Sequence, residues 1–168
     1  SRYGQWFGFS VAISGGTAIV GERCGDDYGK CSGAAYVYRQ DEGGVDNWGE
    51  VTKITASDGA PRTYFGSPVA ISDDTALARS EAYDGDNVPA VYVYRRGDGT
   101  PDQWEEVIKI PMNSNAPPGS GVAINGETAV IGLAAPNSVY VLRRNEGGSD
   151  NWGLVTTISP SDGTDLDY

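Results

Sequence analysis

The chain has 168 residues, and 23 acidic residues against 12 basic ones give it a formal net charge of −11. A surface of this sign repels phosphate groups, which argues against nucleic acid or an anionic membrane surface as a partner. No apolar run approaches the roughly 20 residues of a membrane-spanning helix, and the absence of histidine removes Ser–His and Cys–His catalytic pairs.

Four strand-like runs separated by turn signals open the chain, at 9–14, 17–20, 34–39 and 48–54. Gly15 and Gly16 form the connection between the first two runs, and such a short connection requires an antiparallel hairpin. A loop at 21–32 precedes the third run, and a polar loop precedes the fourth. This part of the chain therefore predicts a small antiparallel sheet with the strands in chain order.

The same sequence of motifs occurs three times. The copies begin FGFSVAISGGTAIVG at Phe7, FGSPVAISDDTALA at Phe65 and PGSGVAINGETAVIG at Pro118. Equivalent landmarks are Val11, Val69 and Val122; Tyr36, Tyr92 and Tyr140; and Trp48, Trp104 and Trp152. Periods near 50 residues are typical of propellers and stacked arrays. We expect one repeat array over 1–168, with copies at 7–64, 65–117 and 118–168.

The third run of the first copy is apolar on both faces. Ala35 and Val37 point one way, whereas Ala34, Tyr36 and Tyr38 point the other way. A sheet with one wet face would alternate apolar and polar residues, so each sheet is expected to lie between two others. The recurring tryptophans are interpreted as core or rim packing.

These ordered motifs resemble the FG-GAP repeat family, the β-propeller repeat of integrin α-chain head domains and of many secreted microbial and algal proteins. The resemblance implies four-stranded blades, usually seven to a ring, in extracellular proteins of adhesion or ligand binding. The expected fold class is all-β: three four-stranded antiparallel propeller-type blades, either part of a larger β-propeller or completed by other chains. The expected localisation is secreted or extracellular.

The integrin-type repeats of this family carry an Asp-rich calcium loop between the first two strands of a blade. The corresponding connections in this chain, such as Ser14 to Thr17, are too short to surround a cation with six or more oxygens. We expect no metal site and no required cofactor, with calcium left as a minor possibility at the acidic loops.

Two cysteines, Cys24 and Cys31, lie in one short loop of the first copy. A local disulfide would close that loop and stabilise it by about 2–3 kcal/mol in the chain-entropy model. The alternative is a pair of free thiols in a reducing compartment.

The loops between second and third strands differ among the copies, which makes them the candidate ligand-binding regions. The candidate residues are Asp26, Asp27 and Tyr28 in the first copy and Tyr83, Asp84 and Asp86 in the second. A tyrosine beside acids suits a glycan or protein ligand, although ordinary surface tyrosines explain the pattern equally well.

We expect no catalytic residues. The alternative is a segment of a carbohydrate-active enzyme that uses paired loop carboxylates, drawn from Glu22, Asp26, Asp27, Glu81, Asp84 and Asp86.

Three blades do not close a ring, because closed propellers have about four to eight. The final segment SPSDGTDLDY matches TASDGAPRTY ahead of the second copy, which predicts three whole modules cut in register. We therefore expect the open blade faces to be covered by other copies of this chain or by the rest of a larger propeller.

Overall fold

The structure is a computed structural model that describes residues 4–81, 87–97, 103–112, 121–133 and 137–161. The described residues form these strands: β1 (Phe7–Ser14), β2 (Thr17–Glu22), β3 (Ala34–Gln40), β4 (Trp48–Ile54), β5 (Val69–Ser72), β6 (Thr75–Ser80), β7 (Ala90–Arg96), β8 (Trp104–Pro111), β9 (Val122–Asn125), β10 (Thr128–Leu133), β11 (Ser138–Arg144) and β12 (Trp152–Ile158). They make three four-stranded antiparallel sheets, each with its strands in chain order. The predicted all-β fold class is confirmed. The part of the chain described here contains no helix of the length and hydropathy that a membrane span requires.

We call the sheets blade 1 (β1–β4), blade 2 (β5–β8) and blade 3 (β9–β12). Each blade opens with a two-residue hairpin whose first turn residue has a positive φ: 53° at Gly15, 52° at Asp73 and 55° at Gly126. Left-handed backbone at this position matches the twist of the flanking strands. Both strands of the first hairpin are two residues longer than predicted. Phe7 pairs with Glu22 beyond an irregularity in the register, and Gly21 and Glu22 also pair with Ala35 and Ala34 of β3.

Blade 2 is buried on both of its faces. The face that we call leading carries Phe65, Val69, Ile71 and two tyrosines, and it packs against blade 1 in one apolar cluster. The opposite face, which we call trailing, packs against blade 3 in a second cluster around Leu77, Val91 and Val93. The first strands of neighbouring blades lie side by side. The position of blade 2 between two other sheets thus explains why its strands carry apolar residues on both faces.

The tryptophans that begin the fourth strands differ in burial. Trp104 belongs to the cluster between blades 1 and 2, and Trp152 belongs to the cluster between blades 2 and 3. Trp48, at the same position of blade 1, is exposed. Packing in the core or at the rim, as predicted, describes Trp104 and Trp152, whereas Trp48 lies on blade 1, where no described blade covers the equivalent surface.

The leading face of blade 1 and the trailing face of blade 3 are open. Val11 is 68% exposed on blade 1, whereas Val69 at the same position of blade 2 is 5% exposed. Phe7 and Phe65 show the same contrast, at 53% and 1%. On blade 3, Ile158 is 53% exposed, and its equivalent in blade 1 lies in the core. We call these two surfaces the end faces.

Candidate functional site

The loop between β2 and β3 of blade 1 lies against the segment that joins blade 1 to blade 2. Three amide-to-carbonyl hydrogen bonds connect them: Arg62 N to Lys30 O at 2.9 Å, Tyr64 N to Cys31 O at 3.0 Å and Phe65 N to Ser32 O at 2.9 Å. Gly33 and Phe65 add an isolated parallel bridge. The loop therefore holds the first residues of the second repeat in place, and both segments lie at one edge of the blades.

The predicted disulfide between Cys24 and Cys31 is confirmed. It closes the base of the β2–β3 loop, and both half-cystines are buried. The amide of Cys24 also donates to the carbonyl of Gln5 at 3.0 Å, which fixes the segment ahead of β1 beside the loop. The disulfide and these backbone hydrogen bonds together hold three chain segments at this edge.

The two predicted loop acids bind groups within the chain. Asp26 Oδ1 accepts a hydrogen bond from the amide of Cys31 at 2.8 Å. Asp27 forms an ion pair with Lys53 of β4, at 2.5 Å. Burial alone would lower the pKa of Lys53, but its bonds to Asp27 and Tyr36 outweigh that effect and raise the pKa. These contacts stabilise the loop.

Tyr28 is the one predicted aromatic candidate that the structure describes. Its ring is half-exposed and lies over Gly59, where a Cβ atom would come within 2.4 Å of ring carbon Cδ2. Its amide donates to Ser32 Oγ at 3.1 Å. The structure brings Asp26, Asp27 and Tyr28 together in one loop, whereas the predicted residues Tyr83, Asp84 and Asp86 lie outside the described residues.

Two further carboxylates named by the sequence are buried. Glu22 accepts a hydrogen bond from the hydroxyl of Tyr36 at 2.8 Å, and burial together with this carboxylate raises the pKa of Tyr36. Glu81 accepts one from Arg23 Nη2 at 2.8 Å and lies 4.0 Å from Arg79 Nη1. Each of these carboxylates stabilises a buried polar contact.

A solvent-open groove of about 580 Å³ lies beside the disulfide. The described residues that line it are Trp6, Arg23, Cys24, Lys30, Cys31, Arg62 and Tyr64. Three of them are cations: Arg23, which is paired with the buried Glu81, and the exposed Lys30 and Arg62. This contrasts with the net charge of −11 for the whole chain. We call this feature the basic groove.

Aromatic rings hold Arg23 in the wall of the basic groove. The guanidinium carbon lies 4.3 Å from the ring centroid of Tyr64, 5.4 Å from that of Trp6 and 5.2 Å from that of Phe9. Cation–π contacts of this kind orient a guanidinium without removing its charge. Together with Glu81 on its other side, they fix the direction of the Arg23 side chain.

Calcium does not fit the connections between the first two strands of the blades. Each connection is a two-residue turn, which is too short to supply six or more oxygens. Within the described ranges, no cluster of three or more His, Cys, Asp or Glu residues is arranged to hold a metal ion. Asp26 and Asp27 are bound to an amide and an ammonium group instead.

Comparison with known proteins identifies the family. The family model of the FG-GAP repeat matches residues 2–38 and 48–94, which are half of the chain. The chain belongs to the FG-GAP repeat family, and its sheets are propeller-type blades. A search of the curated proteins finds no match.

Apart from Cys24 and Cys31, which were predicted to form a disulfide, the residues of the basic groove were not among the predicted site residues. They come from three segments: the residues ahead of β1, the β2–β3 loop and the connection between β4 and β5. One signal in the sequence pointed to the groove, because Arg23 and Lys30 each stand beside one of the two cysteines in an otherwise acidic chain.

Proposed function

We propose that this chain is a non-catalytic, extracellular FG-GAP repeat module for adhesion, ligand recognition or assembly, and that further blades of the same repeat type cover its end faces. The observation that carries the proposal is the contrast between equivalent residues, which are buried where a neighbouring blade is present and exposed at the end faces. Exposed apolar surfaces the size of a sheet face usually mark interaction sites.

The leading face of blade 1 is built like the leading face of blade 2. Phe7 packs edge-on against Tyr36, with ring centroids 5.4 Å apart, and Phe65 packs against Tyr92 at the same distance. The difference is that blade 1 covers the second pair, whereas no blade formed by the described residues covers the first. A blade placed against Phe7 would bury the same kind of surface.

The trailing face of blade 3 supplies the complementary surface. Val139 and Val141 of β11 correspond to Ala35 and Val37 of β3, which are fully buried against blade 2. In blade 3 both valines are only partly buried. A head-to-tail contact between the end faces of two chains would therefore repeat the contact that already joins the blades. Such contacts form a closed ring when the rotations from blade to blade add up to a full turn. Two chains would supply six blades, which is within the range of closed propellers.

The test compares one substitution at two exposed valines. Val11→Asp places a charge on the end face, whereas Val45→Asp makes the same change in the β3–β4 loop, where the valine is also exposed. We expect sedimentation velocity to give an assembly of two chains of 17.7 kDa for the unmodified protein and for V45D, and a single chain for V11D. A wild-type monomer at every concentration would rule out a second copy as the covering blade.

The extracellular assignment rests on the family and on the Cys24–Cys31 disulfide, because structural disulfides persist mainly in oxidising compartments. The non-catalytic assignment rests on the four candidate acid–base carboxylates among the described residues, each of which binds a donor within the chain: Glu22, Asp26, Asp27 and Glu81. Release of reducing ends from a polysaccharide by the pure chain would contradict it and would favour paired carboxylates as acid and base.

A further inference from the structure

We propose that the basic groove binds an acidic sugar, meaning a sugar ring that carries a carboxylate or sulfate group. This inference names a ligand class for the recognition role in the proposed function and rests on it. It assigns the binding to Trp6, Arg23, Lys30, Arg62 and Tyr64. The earlier candidates Asp26, Asp27 and Tyr28 support the loop through bonds within the chain.

The charge of the basic groove favours an anion. Arg62 and Lys30 are exposed, and they belong to the two segments that the backbone hydrogen bonds join. Arg23 completes the wall between them and Trp6. Cations concentrated in a concave site raise the local concentration of anionic ligands, and the acidic surface elsewhere repels the same ligands.

The groove is ordered before any ligand arrives. The disulfide fixes the loop that carries Lys30, and the rings of Trp6 and Tyr64 together with Glu81 fix the guanidinium of Arg23. A site whose side chains are already held loses less conformational entropy on binding. Its volume of about 580 Å³ also lies within the usual range of small-molecule sites.

The aromatic rings favour a sugar ring over a simple inorganic anion. Trp6 is half-exposed, and Tyr64 is partly exposed at the same wall. Trp6 stacks on Phe9, with ring centroids 5.8 Å apart, and the exposed remainder of its ring offers an apolar surface to the carbon–hydrogen groups of a pyranose. The cations beside these rings would then bind the carboxylate or sulfate group of the same sugar.

The backbone of the groove argues against an acidic peptide. The amides of four lining residues already donate hydrogen bonds within the chain: Cys24 to Gln5 O, Cys31 to Asp26 Oδ1, Arg62 to Lys30 O and Tyr64 to Cys31 O. Peptides that add to an exposed edge need such amides to be available. Recognition in this groove therefore falls to side chains, which suits a sugar.

Titration calorimetry with the intact chain tests the proposal with four probes: tetragalacturonate, a sulfated galactan tetrasaccharide, the neutral sugar cellotetraose and tetraglutamate. We expect binding of one or both anionic sugars and no detectable binding of cellotetraose. The first two arms distinguish a carboxylate from a sulfate ligand. Because exposed charges carry the recognition, affinity should fall as NaCl is raised from about 0.02 M to about 0.5 M.

Matched variants locate the site. Arg62→Gln and Lys30→Gln should each weaken binding by about fivefold, the effect of losing one exposed charge contact, and Trp6→Ala should weaken it at least as much. Arg143→Gln makes the same change in charge at an exposed arginine of β11 and should leave the affinity unchanged. Reduction of the disulfide should also weaken binding.

The proposal is overturned if the folded wild type binds neither anionic sugar, if R143Q weakens binding as much as R62Q, or if tetraglutamate binds as tightly as the sugars. Arg62 lies outside the two end faces, so R62Q should sediment like the unmodified chain. Failure of the sugar-binding test is therefore distinguishable from failure of blade assembly, which V11D reports.

Discussion

The hydroxyl oxygen of Ser14, at the end of β1, accepts a hydrogen bond from the backbone amide of Asp73 in the first turn of blade 2, at 3.0 Å. The next pair of blades repeats the contact, because Ser72 Oγ accepts from the amide of Gly126, also at 3.0 Å. Asn125 is the equivalent residue at the open edge of blade 3. A polar bond at each junction thus fixes how far one blade is displaced along its neighbour, which apolar packing alone specifies weakly.

Removing one of these serine hydroxyls should weaken one junction. We expect Ser14→Ala and Ser72→Ala each to lower the free energy of unfolding by about 0.5–1 kcal/mol, the usual net value of a neutral hydrogen bond. The double variant should show the sum, because the two bonds lie at different junctions. Urea denaturation measures the effect, with Ser149→Ala in the β11–β12 loop as the control. Equal stability of the wild type and all four variants would show that the contact contributes nothing.

The glycines of the two described Phe-Gly pairs provide a second prediction, because their backbones match and their surroundings differ. Gly8 and Gly66 have φ values of 82° and 83°. A Cβ atom on Gly66 would lie 2.3 Å from the carbonyl oxygen of Ala34, whereas one on Gly8 would meet nothing within 4 Å. The cost of left-handed backbone is thus common to both, and the clash with blade 1 belongs to Gly66 alone.

We expect Gly8→Ala to lower the free energy of unfolding of the single chain by about 1–2 kcal/mol, the cost of a side chain in left-handed backbone. Gly66→Ala should add at least 1–3 kcal/mol, since the overpacked contact is with backbone. Thermal or urea unfolding at low protein concentration measures both. If another blade covers Phe7, G8A should also reduce assembly. Equal destabilisation by the two variants in a monomer would contradict the packing of Gly66 against Ala34.

The repeat pattern made the fold predictable from the sequence. Each of the four strands of a blade occurs in three copies. The apolar residues on both faces of the third strand, as at Ala35 and Tyr36, were therefore supported by the equivalent residues of the other two copies. The structure confirms the sheet order and the burial of blade 2 on both faces. The actual start of β1 was missed because the pairing of Phe7 with Glu22 crosses an irregularity that no periodic pattern indicates.

The basic groove could not be predicted in the same way. Trp6 and Arg62 are far apart in the chain, and they meet because backbone hydrogen bonds tie the β2–β3 loop to the following connection. The repeat pattern does not indicate the groove, because the β2–β3 loop differs from the equivalent loop of every other copy. The sequence likewise showed that Asp27 is acidic but not that Lys53 binds it. Only the proximity of Cys24 and Cys31, with Arg23 and Lys30 beside them, was visible in advance.

Asp58, in the connection between blades 1 and 2, should make stability depend on pH. It accepts a hydrogen bond from the hydroxyl of Tyr92 at 2.7 Å and binds the ammonium group of Lys109, so it ties the connection to blade 2. Burial acts to raise the pKa of Asp58, but the bonds to Lys109 and Tyr92 outweigh it and lower the pKa. The contribution of Asp58 to the free energy of unfolding is therefore fully present above the pKa of about 3.9 that the carboxyl has in the unfolded chain. It is lost as the pH falls through the lower pKa of the folded state.

Asp58→Asn is the variant that isolates this effect. The wild type should be more stable than D58N at pH 6, and the difference in unfolding free energy should stay constant down to about pH 5 and shrink below about pH 4. Urea titrations at a series of pH values measure it, with Lys109→Gln as a companion that should remove part of the same difference. A difference that grows on acidification would contradict the lowered pKa.

The Cys24–Cys31 disulfide should stabilise the chain and also keep the basic groove in shape. The bond closes a loop across a sequence separation of seven residues, for which the chain-entropy model gives about 2–3 kcal/mol. We expect the double variant Cys24→Ala/Cys31→Ala to melt roughly 4–12 °C below the oxidised wild type, since 1 kcal/mol shifts Tm by about 2–4 °C in a chain of this size. Calorimetry with and without a reductant measures the shift. Reduced wild type should match the double variant, and the reductant should leave the variant unchanged. If reduction does not lower the Tm of the wild type, the loop is held by its hydrogen bonds to the segment from Arg62 to Phe65, and the covalent bond adds nothing to stability.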